Sequence, residues 1–261
     1  MNTVITSFTQ DGYEKYGKEF LRTMEKHFIK PVVYFEGDEF PEGNAHWKSI
    51  FEIGALNQWM KAISVFPLMR GEFPNGEYNI QYDAGMVRKP YMQAHACLEY
   101  GGKVFWMDAD AIVHSDVPEG FLDDCLPDDK FCCYLDRDRL YDKKTGLQLY
   151  TESGFLGFNT DHKLFKSFFL AYMEVFESGI IFTQPRWHDC QGFDMVRRSN
   201  AKRKDQFVDL AADFEPNMHP YVNSVLGKYF DHRKGPRKDS RSTEEDLVVE
   251  RTEDYWKGET T

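Results

Sequence analysis

The chain has 261 residues, 41% of them hydrophobic and 16% aromatic, and a formal net charge of −11. That length and apolar content support a sizeable buried core and exclude a disordered chain. The acidic balance argues against a general nucleic-acid binder, whose affinity rests on phosphate contacts. No apolar run approaches transmembrane length, and Met1–Ser7 lacks the basic and apolar regions of a signal peptide. The five cysteines are odd in number and show no metal-ligand spacing, so a reduced, cytoplasmic protein with free thiols is expected. Cys132 and Cys133 are adjacent on a strand-like stretch and should face opposite sides of it.

In chain order, Val4–Phe8 reads as a first strand, followed by a turn at Asp11-Gly12 and an amphipathic helix over Tyr13–His27. Pro31–Phe35 is a second strand that runs into Glu36 and Asp38. Residues 47–66 carry helical spacing, and 88–100 form another helix that leads, through Gly101-Gly102, into an apolar strand that ends at Asp108. Beyond Asp110 the pattern loosens. Phe131–Leu135 and Gly154–Asn159 read as strands and 161–178 as a strong helix. A polar stretch, Arg186–Arg198, follows Pro185, residues 197–204 are basic, and the chain from Ser240 is a charged tail. Alternating strands and helices predict an α/β fold, a mostly parallel sheet with helices on its faces. The expected organisation is one domain over 1–240, with halves 1–110 and 111–240, and a tail over 241–261.

The densest chemistry is the pair Asp108 and Asp110, which closes the apolar run Val104–Met107. Strand ends are where open α/β sheets bind ligands. Two carboxylates there are poor packing but a good seat for a hard divalent cation; the competing reading is a solvated turn that caps a helix. A second pair, Asp136 and Asp138, stands between Arg137 and Arg139 and reads as an ion-paired loop. Two enzyme classes place Asp-x-Asp after a strand. Aspartate-nucleophile phosphohydrolases do so at the start of their domain, with Thr or Val where Ile112 stands. Nucleotide-sugar transferases do so after a nucleotide-binding half, as here.

Further segments resemble the second class. Trp106-Met107-Asp108-Ala109-Asp110 is similar to the apolar-Asp-x-Asp strand end of glycosyltransferases of the GT-A fold. Arg88-Lys89-Pro90-Tyr91-Met92 resembles the basic helix that these enzymes set beside the nucleotide. Glu152-Ser153-Gly154-Phe155-Leu156-Gly157-Phe158-Asn159 is similar to the strand that floors their donor-sugar pocket. His232-x-x-Gly235-x-x-Lys238 matches the His-x-x-Gly-x-x-Lys pattern of glycogenin-like and related retaining transferases, although Asp239-Ser240 stand where Pro-Trp often follows.

The resemblance implies a single GT-A domain, with a Rossmann-like nucleotide-binding half and a mixed central sheet, that moves a sugar from a UDP- or GDP-sugar to a glycan or other hydroxyl acceptor. It implies retention of configuration and a metal seat of Asp108, Asp110 and His232 for Mn²⁺ or Mg²⁺. Thr6, Ser7, Phe8 and Tyr13 are then expected near the base, and Glu36 or Asp38 near the ribose. Arg88, Lys89, Ala109, Gly235 and Lys238 are expected along the nucleotide and phosphates. Glu152, Ser153, Asp189 and Gln191 are expected around the sugar, with Asp189 and Glu152 as catalytic candidates. Gly235 has no Cβ, so backbone N–H groups there can approach phosphate closely.

His188 and His219 have no such support as ligands, and Trp187 either stacks on an acceptor or packs. Arg197, Arg198, Lys202, Arg203 and Lys204, with Arg233, Lys234, Arg237, Lys238 and Arg241, form either a solvated face or a surface for an anionic acceptor such as a modified nucleic acid. The alternatives to a transferase are the phosphohydrolase, with Asp108 as nucleophile, and a carbohydrate-binding domain without catalysis.

Overall fold

Apolar runs without polar alternation become strands covered on both faces. In the computed structural model, which describes residues 1–64, 86–141, 146, 148–184, 187–211 and 219–233, this holds for Lys103–Met107 and Glu152–Asn159. Every residue of both is buried. The strands are β1 (Asn2–Thr9), β2 (Val32–Glu36), β3 (His46–Ser49), β4 (Lys103–Met107), β5 (Ala111–Val113), β6 (Cys132–Leu135), β7 (Glu152–Asn159), β8 (Phe207–Asp209) and β9 (Phe230–His232). The helices that cover them are α1 (Lys18–His27), α2 (Gly54–Ser64), α3 (Arg88–Tyr100), α4 (Phe121–Cys125), α5 (Phe165–Glu177) and α6 (Asp189–Ser199).

Seven strands make one sheet in the order β3-β2-β1-β4-β7-β6-β8, and β5 and β9 make a two-stranded ribbon. In the large sheet β7 alone runs against its neighbours, and the other pairings are parallel. The start of β7 therefore lies at the same edge as the C-terminal ends of β1, β2 and β4. That edge carries the site.

The pleat divides the core in two. Val104, Trp106, Cys132, Leu156 and Phe158 pack with Trp59 of α2, Tyr91 of α3, Phe168 and Tyr172 of α5, and Phe193 of α6. Phe105, Met107, Cys133 and Phe155 pack on the other side with Phe20 and Met24 of α1, Leu122 of α4, and Phe230 of the ribbon. Cys132 and Cys133 thus face opposite layers, as alternation requires, and all five cysteines are free thiols. Between α3 and β4 the chain turns at Gly101 and Gly102, both left-handed at φ 65° and 64°. A Cβ on Gly102 would lie 2.7 Å from the Met1 carbonyl oxygen.

Two expected elements differ. Asp11-Gly12 is not a turn: Thr9 caps a helical turn by accepting the Gly12 N–H at 3.0 Å. A π-helical stretch, Tyr13–Gly17, then continues into α1. Residues 47–66 are not one helix, because their start is strand β3, paired in parallel with β2. Trp47 sits there edge-on to Phe8 and Phe35, so sheet and aromatic packing override the helical spacing. The proposed tail lies outside the described residues.

Gly192 lies inside α6, where alanine normally improves a helix by about 1 kcal/mol. Here the added Cβ would meet Cζ of the buried Phe176 ring at 2.4 Å, and overpacking costs roughly 1–3 kcal/mol. Gly192→Ala is expected to lower the urea unfolding midpoint. A raised midpoint would show that the α5–α6 contact is looser than described.

Candidate active site

β1, β2 and β4 deliver their C-terminal ends, β7 its start, and α3 and α6 their first turns to one cavity of about 820 Å³. That volume is in the range of small-molecule and cofactor sites. Ser7, Phe8, Thr9, Tyr16 and Glu36 line one part of it, and Arg88, Lys89, Asp108, Ala109 and Asp110 line another. Arg137, Glu152, Ser153, His188, Asp189, Cys190 and His232 complete it.

The ribbon makes the central constellation. Ala111 pairs with His232 in the β5–β9 register, and the Arg233 N–H donates to the Asp110 carbonyl at 3.0 Å. His232, only 1% exposed, therefore reaches an aspartate 122 positions away in sequence: its Nε2 is 3.0 Å from Asp110 Oδ1 and 3.8 Å from Asp108 Oδ2. Tyr221 packs on the imidazole with ring centroids 4.7 Å apart. Asp108 is oriented from its other oxygen: Trp106 Nε1 donates to Oδ1 at 2.6 Å and Lys89 Nζ at 2.8 Å.

Lys89 is the buried cation of this edge. Its ammonium also donates to the Ser153 carbonyl at 2.7 Å and lies 3.4 Å from Asp189 Oδ2. Burial alone would lower its pKa, but Asp108, Asp189 and Glu152 outweigh that and hold it above the ordinary lysine value. The same contest operates at His232, where burial lowers the pKa and Asp110, Glu152 and Asp108 raise it, with a net rise. Glu152, buried at the start of β7, accepts from Arg137 Nη1 at 3.0 Å and from the Gly154 N–H at 3.3 Å. Beneath it Asp194, fully buried, accepts from the Thr151 N–H at 2.8 Å, the Thr151 hydroxyl at 2.7 Å and Arg197 Nε at 2.8 Å. This fixes the approach to Glu152 and Ser153.

Asp108, Asp110 and His232 each offer a ligand atom, all within 4.8 Å of one another. Octahedral bonds of about 2.1 Å put neighbouring ligand atoms about 3.0 Å apart, the separation of His232 Nε2 from Asp110 Oδ1. Two carboxylates and an imidazole suit Mn²⁺ and tolerate Mg²⁺.

Of the residues expected around the substrates, Ser7, Phe8, Glu36, Arg88, Lys89, Asp108, Ala109, Asp110, Glu152, Ser153, Asp189 and His232 line this cavity. Thr6 and Tyr13 do not. Thr6 is buried in β1, and the Tyr13 hydroxyl donates to the Glu42 carbonyl within an aromatic cluster. The π-helical stretch instead sends Tyr16 to the cavity. Gln191 is buried in α6 away from the lining, Asp38 is exposed, and Gly235 and Lys238 lie outside the described residues.

Asp136 and Asp138 are ion-paired, but with Arg197 and Arg198 of α6 rather than with their sequence neighbours. Burial and Asp138 push the Asp136 carboxyl up to about 6. Those pairs, and Arg233 donating to Glu19 at 3.0 Å, remove three cations from the proposed anionic-acceptor face. Trp187 is a packing residue: its indole donates to the Gln184 carbonyl and its ring meets Phe182 edge-on. His219, without support from sequence, stands beside His232 at 5.4 Å between centroids. Its only signal was the ligand-type side chain.

The sequence matches no protein-family model and no curated protein. The structure is similar to the bifunctional glycosyltransferase WbbM at TM-score 0.52 and 14% identity, over 92% of this chain and 47% of that one. Other similar structures are mouse xyloside xylosyltransferase 1 (TM-score 0.47, 11% identity, 80% of this chain and 85% of that one) and the galactosyltransferase LgtC, solved with donor and acceptor sugar analogues (TM-score 0.49, 15% identity, 95% and 92%). The fold is the single-domain GT-A fold of glycosyltransferases. Among the described residues no helix is long and apolar enough to cross a membrane.

Because the folded protein binds the His232 proton more tightly than the unfolded chain does, that proton adds stability below the ordinary histidine value of about 6.5. The contribution is lost as pH rises through the elevated folded value. In chelator-treated protein, stability by urea titration is expected to fall over that interval, with a smaller fall in Asp110→Asn. The same fall in both proteins would remove Asp110 as its source.

Proposed function

We propose that this protein is a metal-dependent glycosyltransferase that moves a sugar from a UDP- or GDP-sugar to a hydroxyl of a glycan or other acceptor, with retention of configuration. The observation that carries this is the meeting of Asp108, Asp110 and His232 within 4.8 Å, at the strand edge of a GT-A-fold sheet and inside a cavity of nucleotide-sugar size. Asp108, Asp110 and His232 would hold Mn²⁺ or Mg²⁺. When bound, the ion neutralises charge on the departing diphosphate. Five free thiols suit a reduced compartment, and the cytoplasm is the proposed location.

The residues divide the work. Ser7, Phe8, Thr9 and Tyr16 offer a wall for the base, and Glu36, ion-paired with Arg88, stands where a ribose hydroxyl can be bound. Arg88 and Lys89 open α3, whose N-terminus adds partial positive charge to theirs. Gly235 and Lys238 are proposed at the diphosphate on the strength of the motif. Lys89 holds Asp108 in place while bonding the Ser153 carbonyl, so the metal seat and the sugar floor are tied together. Glu152, Ser153 and Asp189 face the transferred sugar.

In transfer the bond from the anomeric carbon to the diphosphate oxygen breaks and a bond to the acceptor oxygen forms. Under retention the departing phosphate takes the acceptor proton. Asp189, whose Oδ2 accepts no hydrogen bond among the described residues and lies 3.4 Å from the Lys89 ammonium, is the general base if the enzyme inverts. The phosphohydrolase alternative is weaker because Asp108 Oδ1 is occupied by Trp106 and Lys89, and the surrounding fold is that of transferases.

Asp110→Ala is expected to abolish the thermal stabilisation that Mn²⁺ and a nucleoside diphosphate give together. It should also slow transfer, or donor hydrolysis without acceptor, by about a hundredfold or more, with an unchanged circular dichroism spectrum. Full activity in Asp110→Ala would end the metal-seat reading. Release of phosphate from simple esters by the wild type would favour the phosphohydrolase.

A further inference from the structure

His232 stands between two ligand sets. One is the aspartate pair. The other is Glu152 and His219, which with His232 again offer three ligand atoms within 4.8 Å of one another. His219 Nε2 is 3.7 Å from Glu152 Oε2. Glu152 and His232 are 2% and 1% exposed, and His219 is half-buried. Nε2 of His232 points at Asp110, whereas its Nδ1 is buried with no hydrogen-bond partner among the described residues. A buried ring nitrogen without a partner is costly in an apolar core but is an available donor for a cation.

The two sets differ in chemistry. Two carboxylates and one imidazole favour a hard or intermediate octahedral ion. Two imidazoles and one carboxylate are the ligand type of three-residue zinc sites, whose tetrahedral geometry leaves the fourth position open. Tetrahedral ligand atoms stand further apart than octahedral ones at equal bond length, in keeping with 3.7 Å in this set against 3.0 Å in the other.

We propose that Glu152, His219 and His232 form a second cation site, selective for a borderline ion of the zinc type, which competes with the Asp108–Asp110 site for His232. A neutral imidazole has one lone pair. It can be given to the aspartate pair, which Nε2 faces, or to the Glu152–His219 set, and not to both at once. Zinc binding therefore withdraws His232 from the donor-metal seat and, through Glu152, occupies the sugar floor. Arg137 is the group that must give way, and it lies at the cavity wall with 23% of its side chain exposed. The competition rests on the metal-seat reading above; the zinc site does not.

The test measures Zn²⁺ affinity by competition with a chromophoric chelator and Mn²⁺ affinity by the electron paramagnetic resonance of the free ion, on the whole chain stripped of metal. His219→Ala is expected to weaken Zn²⁺ by at least about tenfold while Mn²⁺ stays within about threefold, and Asp110→Ala the reverse. In the wild type Zn²⁺ should displace Mn²⁺, and in His219→Ala the displacement should need about tenfold more zinc. His219→Asn, which keeps a polar side chain of similar reach, serves if the alanine variant does not fold. The Co²⁺ form should lose its intense tetrahedral visible bands in either variant. Zn²⁺ affinity unchanged in the His219 variants and lost in Asp110→Ala would place zinc in the aspartate set and overturn the proposal. Zn²⁺ binding that depends on His219 in a wild type that binds no Mn²⁺ would keep the zinc site, while the competition and the metal-seat reading would fall.

Discussion

The molecule is organised around acidic charge that the sheet edge concentrates and has to neutralise. Asp108, Asp110, Glu152 and Asp189 all line one cavity, and each pair of like charges at short range costs on the order of 4 kcal/mol at an intermediate dielectric of ~20 at 4 Å. Lys89 and His232 carry much of the compensation. Lys89 sits between Asp108 and Asp189, and His232 lies against both members of the aspartate pair. The elevated pKa values of the two cations are the other side of the same energy. Apolar surroundings strengthen it, since Trp106 lies under the Lys89 ammonium at 4.9 Å and Tyr221 covers the His232 ring.

Topology makes that concentration possible. Because β7 runs against β4, Gly154 and Asp108 stand opposite each other and the sheet continues for one more bond, from the Asp108 N–H to the Gly154 carbonyl at 2.9 Å. The chain then turns at Ala109-Asp110 and enters a ribbon of three residue pairs. So short a ribbon contributes little by itself. It is held by α1, where the Thr23 hydroxyl accepts the Val113 N–H at 3.2 Å, and by Phe230, fully buried between Phe28 and Phe121. Gly154 keeps space for the imidazole, since a Cβ there would lie 2.9 Å from His232 Cε1.

The parts legible in sequence are those set by local pattern. The strands that contain Phe8, Phe35 and Met107, the helix over 88–100 and the opposite facings of Cys132 and Cys133 follow from period and composition. The aspartate pair was conspicuous because carboxylates closing an apolar run have few structural uses, and His232 stood out through its spacing to Gly235 and Lys238. What was hidden depends on contacts distant in sequence. Residues 47–66 carry helical spacing, and their start is strand β3 because β2 offers it an edge. Arg197 and Arg198 looked like a basic face, and their partners Asp138 and Asp194 are brought near by the loop after β6 and by the helix itself. Tyr16 replaces Tyr13 at the cavity because a π-helical stretch shifts the face by part of a turn. His219 had no motif to mark it, and only the packing around His232 brings it forward.

A crystal structure with Mn²⁺ and a nucleoside diphosphate, read by anomalous scattering at the manganese edge, bears most directly on the central claim. The expected result is one manganese peak bonded to Asp108, Asp110 and His232 at about 2.1–2.3 Å, with the diphosphate on its open side. Nucleotide bound in the cavity with manganese away from those three side chains would contradict it.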